Sequence, residues 1–126
     1  SLSDDVIRQV PVSAANMNLV REGMRAVVSG AGATAYAMNV PGVTVAGKTG
    51  TAEFFEDRNK DGLPDRDKEG HLPTHAWFTA FAPYEDPEIA VVVFLWGGGE
   101  GSGTAVPVAR DILRYYFNRD LDEVGQ

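Results

Sequence analysis

Apolar residues recur at helical spacing after Ser13, where Met17, Val20, Met24, Val27 and Val28 fall on one side of a 3.6-residue repeat. Ser13 can accept from an early backbone N–H, and Gly30 and Gly32 interrupt the run, so a helix is predicted over 13–30. Residues 1–12 read as an irregular lead-in stopped by Pro11. The small residues from Ala31 to Met38 show no clear period, and Pro41-Gly42 marks a turn. The pattern then changes. Residues 43–55 are rich in strand formers, and 76–82 alternate large and small side chains. Residues 89–96 are continuously apolar, as in a strand covered on both faces. Pro83 to Pro87 is short enough to join the last two strands as a hairpin. A charged insertion, 56–70, separates the first two, and a glycine loop, Gly97 to Gly103, follows the third. Helical spacing returns over 104–118, with Ala105, Val108, Ala109, Ile112, Leu113 and Tyr116 on one side and Arg110, Asp111 and Arg114 opposite. Pro107 is tolerated because it falls in the first turn, and Ser102 or Thr104 can supply the cap. The tail after Leu121 is expected to fray. No internal repeat is visible. The order helix, strand, strand, strand, helix with short links predicts an α+β fold: a three-stranded antiparallel meander flanked by an N-terminal and a C-terminal helix.

Bulk properties narrow the function classes. The chain has 126 residues, which suits one modest domain or a piece of a larger one. A net charge of −7 leaves no basic surface to displace counterions, so nucleic acid is excluded as a partner. The longest apolar run, Ile89 to Trp96, is strand-sized and far short of a membrane span. Ser1-Leu2-Ser3 does not open a signal peptide. With no cysteine, the redox compartment is unreadable.

The densest chemistry lies between Val45 and Glu53. Lys48, Thr49, Gly50 and Thr51 place one cation and two hydroxyls on an extended segment, which equips it to hold a small carboxylate and an oxyanion beside the backbone. The plain alternative is an ordinary strand with a surface lysine. Residues 42–49 also satisfy the P-loop pattern letter for letter. A P-loop, however, follows a strand and opens a helix at its lysine; here strand formers fill the interior and Gly50-Thr51 follow.

In the insertion, Asp57, Asn59, Asp61 and Asp65 alternate as oxygen ligands of a Ca²⁺ loop would, with Gly62 at the sharp turn. Lys68 stands where an EF-hand has glutamate, Glu69 comes one residue later, and Asp65 and Asp67 can compensate. No other cofactor is required. The plain alternative is a solvated charged loop. His71 and His75 have zinc-like spacing, but Pro73 lies between them and no carboxylate pattern surrounds them; His75 reads better as the start of a strand with Trp77 and Phe81 on one face. The glycine loop, lying before a helix, can bind an anion or serve simply as a tight connection.

Lys48-Thr49-Gly50 matches the third signature motif of penicillin-binding proteins and serine β-lactamases. The ordered series Ala46 to Glu53, His75-Ala76-Trp77-Phe78, Phe81-Ala82-Pro83, an apolar strand and a glycine loop resembles the C-terminal end of a class B penicillin-binding protein, over roughly residues 13–119. The resemblance implies part of a β-lactamase/transpeptidase-like fold and a parent D,D-transpeptidase of peptidoglycan synthesis, anchored in the bacterial cytoplasmic membrane and working on its extracytoplasmic face. Lys48 and Thr51 would then act in catalysis. Lys48, Thr49, Gly50 and Thr51 would bind the stem-peptide carboxylate or that of a β-lactam. The family's Ser-x-x-Lys and Ser-x-Asn motifs are absent from residues 1–126. This implies a C-terminal fragment, silent alone, whose nucleophile lies upstream. Its partner would be that missing N-terminal part, or a second copy paired through the open 89–96 edge. Within the superfamily the alternative is a β-lactamase or β-lactam sensor, against which Thr51-Ala52-Glu53 and the later segments speak. Outside it, the alternative is a calcium-binding interaction module.

Overall fold

Ser13 sits in extended backbone and its hydroxyl accepts from the Asn16 N–H at 3.2 Å, capping helix α1, Ala14–Ser29. Gly30 closes the helix by donating its N–H to Ala26 O. The structure is a computed structural model that describes residues 8–30 and 32–123, the last five as backbone only. The predicted lead-in therefore lies outside the described residues up to position 7, and the predicted frayed tail does so from 124. Turns carry the chain through Pro41-Gly42, where Val43 N–H donates to Val40 O and Gly42 takes a positive φ of 74°.

Three strands follow, β1 Ala46–Glu53, β2 Thr74–Ala82 and β3 Ile89–Leu95, joined as an antiparallel meander in the order β1-β2-β3. The C-terminal helix α2 spans Ala105–Glu123. The α+β architecture is the predicted one. Boundaries differ in instructive ways. β1 begins three residues later than expected because Thr44 O is taken by Tyr84 N–H, outside the ladder. β2 begins two residues earlier because Glu53 finds a partner in Thr74. Helix α2 runs past Asn118 because nothing from Arg119 to Glu123 breaks it. Neither Ser102 nor Thr104 does the capping: the Thr104 hydroxyl donates back to Glu100 O, and Gly101 O receives the Ala105 and Val106 N–H groups.

One face of the sheet makes the core. Ala76, Phe78, Ala80, Val91 and Val93 pack with Val28, Met38, Val45, Ala105, Val106, Ala109 and Leu113. The buried stripe of α2 is thus Ala105, Val106, Ala109 and Leu113; Val108 and Ile112, expected on it, face outward. At about 100° per residue the buried stripe centres between Ala109 and Val106, and Val108 and Ile112 fall on the side of Ala105 and Ala109 away from Val106.

The opposite face corrects the reading of residues 89–96 as a doubly covered strand. Val91 and Val93 are buried, but Val92 is 61% exposed and Trp96, just past the strand, 71%. Only one side of β3 meets a helix, α2, among the described residues. The open side carries a ladder of rings: Phe54 stacks on His75 at 3.9 Å, His75 lies 4.4 Å from Trp96, and Trp77 lies 4.4 Å from Phe94. Around α1, Met17, Val20 and Met24 line a shallow groove with Phe81 and Pro87. A continuous apolar run reports burial without saying which molecule supplies the cover.

Candidate active site

The register sets what β1 presents. Lys48 is opposite Thr79 and Gly50 opposite Trp77, so these share the open face with Val92 and Phe94. Thr49 and Thr51 are opposite Phe78 and Ala76 and share the covered face. Cation and hydroxyls therefore leave the strand on opposite faces. They converge only along the outer edge of β1, which ends the sheet among the described residues. A ligand lying along that edge meets the ammonium from one side and both hydroxyls from the other, with strand backbone between them.

Lys48 is exposed; its Nζ donates to Thr49 O at 2.8 Å, and it makes no ion pair among the described residues. The P-loop reading fails here, because Lys48 lies within a strand with no helix opening at it. Gly47 has no room for a side chain: a Cβ would overlap the Phe78 ring and lie 2.9 Å from Thr79 O. Thr51 faces the glycine loop. Its hydroxyl donates to Glu100 Oε2 at 3.2 Å and accepts from Gly101 N–H at 3.5 Å. Gly101 lies against the Gly50–Trp77 pair so closely that a Cβ would stand 2.5 Å from Trp77 O and 2.6 Å from Gly50 O. Sequence reading singled out the glycine loop but passed over Glu100. The only signal was a lone carboxylate amid glycines.

In the insertion, Asp57 accepts from Asp61 and Gly62 N–H at 3.1 and 2.9 Å, Asp61 from Leu63 N–H at 2.8 Å, and Asp65 from Arg58 N–H at 2.9 Å. Asn59 donates to Asp61 at 2.9 Å, and Gly62 turns the chain at φ 85°. The candidate ligands thus shape the loop through its own backbone. A separate group, Asp67, Glu69 and His71, brings three potential ligand atoms within 4.8 Å of one another on the surface. His71 N–H, ahead of the His71 ring, holds the Asp67 carboxyl below the usual carboxylate range. Asp67 is exposed, so the linkage is local: its tie to the turn is present above the ordinary carboxylate pKa and is lost as pH falls through the lowered one. His75 does not join His71. It sits within the aromatic ladder, and its Nδ1 accepts from Gly97 N–H at 3.1 Å.

Comparison with known proteins bears on this strand and its setting. The chain matches the Penicillin binding protein transpeptidase domain family over residues 1–114. It is 39% identical over 105 residues to the Peptidoglycan D,D-transpeptidase MrdA of Haemophilus influenzae, covering 82% of this chain and 16% of that protein. It is 37% identical over 79 residues to the Peptidoglycan D,D-transpeptidase PbpA of Mycobacterium tuberculosis, covering 59% of this chain and 14% of that protein. Among solved structures, Pseudomonas aeruginosa PBP2 in complex with WCK 5153 superposes with a TM-score of 0.67 at 32% identity, over 92% of this chain and 22% of that one. Helicobacter pylori PBP2 in complex with MreC gives 0.63 at 25% identity, over 99% and 21%. The chain therefore spans about a sixth of the length of the curated relatives it matches. No described helix is long and apolar enough to cross a membrane. Its sequence and its α+β fold together place the chain in the penicillin-binding protein transpeptidase family, in the class B group that includes MrdA and PbpA.

Proposed function

We propose that this chain is the C-terminal part of the transpeptidase domain of a longer, membrane-anchored class B penicillin-binding protein, working on the extracytoplasmic face of the cytoplasmic membrane. It supplies the carboxylate and oxyanion side of a D,D-transpeptidase site that cross-links peptidoglycan stem peptides and is acylated by β-lactams. The observation that carries this reading is Lys48-Thr49-Gly50-Thr51 on a strand whose outer edge is open among the described residues. Acyl transfer needs a nucleophile, a base, an oxyanion hole and a grip on the substrate. The nucleophilic serine and its lysine base come from upstream in the longer protein. Lys48 sets a positive potential and supports proton traffic beside that serine, and the Thr49 and Thr51 hydroxyls hold the ligand carboxylate. Phe54 N–H donates to Pro73 O and Thr44 O accepts from Tyr84 N–H, so even-numbered backbone groups of this segment face β2 and its continuations, and the Thr49 carbonyl faces away. Backbone groups two residues apart on an antiparallel strand face the same way. The Thr51 N–H is then turned to the free edge, where an oxyanion can use it. Gly50 lets the ligand approach the backbone. The test is covalent labelling of the longer protein by a fluorescent penicillin, with Lys48 varied. Wild-type labelling of a Lys48→Ala protein would remove the reading.

The sheet face and the β3 edge that are open among the described residues receive the upstream part of the same domain. Without it, residues 1–126 self-associate, because an apolar edge pairs with another copy. Light scattering of this chain alone is expected to show mass rising with concentration, and less so in Val92→Lys. A concentration-independent monomer would count against the open edge.

The insertion supports a second, narrower reading: the 57–69 loop takes up Ca²⁺ and stiffens beside β1. The loop is already wound about Asp57, with Gly62 at the turn. Arg58, Lys60, Arg66 and Lys68 offset much of its acidic charge, so affinity should be weak, on the order of 10⁻⁴–10⁻³ M. Calorimetric titration should detect binding that Asp57→Asn abolishes. No heat at millimolar Ca²⁺ would dismiss it.

A further inference from the structure

We infer that Glu100 is a specificity-determining residue of this site: its carboxylate competes with an incoming ligand carboxylate for the proton of the Thr51 hydroxyl. The inference rests on the proposed reading of Thr51 as a carboxylate binder.

A threonine hydroxyl has one proton to donate. Here that proton goes to Glu100 Oε2 at 3.2 Å, while Gly101 N–H occupies the oxygen from another side. Glu100 has not reached Thr51 from a loose loop. Gly98 N–H donates to Leu95 O, Gly99 N–H to Thr74 O, and Glu100 O receives the Gly103 and Thr104 N–H groups and the Thr104 hydroxyl. Gly101 fixes the loop's height by resting on Gly50 and Trp77. Among the described residues no cation pairs with Glu100. Glu53, Asp67 and His71 line the same groove as Thr51 and Glu100, which adds more negative charge than positive.

A ligand carboxylate must therefore take the Thr51 proton from Glu100 and tolerate a like charge close by. Two carboxylates roughly 5 Å apart in water repel enough to weaken binding about fourfold, and more as water is displaced. A ligand end without charge pays no such penalty. The contact thus sets the preference of the site between anionic and neutral ligand ends.

The test uses the longer natural protein carrying residues 1–126, as wild type, Glu100→Gln and Thr51→Val. Second-order acylation rates are measured with a fluorescent penicillin bearing its free carboxylate and with its methyl ester, at low and high salt. Glu100→Gln should speed acylation by the free acid about four- to tenfold, leave the ester unchanged, and lose part of its advantage at high salt. Thr51→Val should slow the free acid several-fold more than the ester. If Thr51→Val behaves so while Glu100→Gln is neutral or slower with the free acid, competition is refuted and the Thr51 reading stands. If Glu100→Gln speeds both ligands alike, the effect is structural and competition is again refuted. If Thr51→Val leaves the free acid unaffected, the reading of Thr51 falls, and the inference falls with it.

Discussion

Lys48→Ala in the longer protein is expected to slow β-lactam acylation by about 10²–10³-fold, the scale of losing a charged group that supports proton transfer and the local potential in the transition state. Lys48 is exposed, and among the described residues its side chain hydrogen-bonds to the carbonyl of its own neighbour and holds no other element in place. Stability should therefore change by no more than about 0.5 kcal/mol. That separation is the core of the prediction: a large kinetic loss beside an unmoved thermal transition. Lys48→Arg should recover only part of the rate, because a guanidinium is broader, pre-formed as a fork and unable to release its proton near neutrality. Stopped-flow labelling gives the rate and differential scanning fluorimetry the stability. Equal losses in both would make Lys48 a structural residue and remove it from the chemistry.

This strand was legible because its chemistry is contiguous. Lys48, Thr49, Gly50 and Thr51 are neighbours in sequence, so one extended segment suffices to place them together. Helices α1 and α2, the three strands and the Pro83–Pro87 hairpin were legible for a similar reason, since their periodicities and turn residues act within a few positions. Features set by contacts across the chain were not. Glu100 reaches Thr51 over 49 positions, and no local pattern announces the approach. The buried side of α2 runs through Val106 rather than Val108, because the choice depends on where the sheet lies and not on the helical period. Residues 89–96 show the limit most clearly. Their composition is that of a strand buried on both faces, yet the described residues cover only one. The composition is consistent with the longer protein proposed above, in which upstream sequence covers the other face.

Phe78→Ala should remove cooperative folding from the 126-residue chain. Phe78 is fully buried, its ring fills the space left by Gly47, and it joins the sheet to the helical core. Truncating such a ring costs about 3–5 kcal/mol. A domain has about 5–15 kcal/mol in all, and this chain leaves Val92, Phe94 and Trp96 in solvent, which puts it at the low end. Urea titration followed by circular dichroism should show a sigmoidal transition for wild type and a featureless slope for the variant. Val92→Ala is the informative contrast. On the open face of the isolated chain it should shift stability by no more than about 0.5 kcal/mol. In the longer protein proposed above, with upstream sequence laid over that face, the same change should cost about 1.5 kcal/mol, the transfer free energy of roughly two methylenes. An equal cost in both settings, independent of protein concentration, would mean that the face is already covered within residues 1–126. A cost in the isolated chain that appears only at high concentration would assign the cover to a second copy.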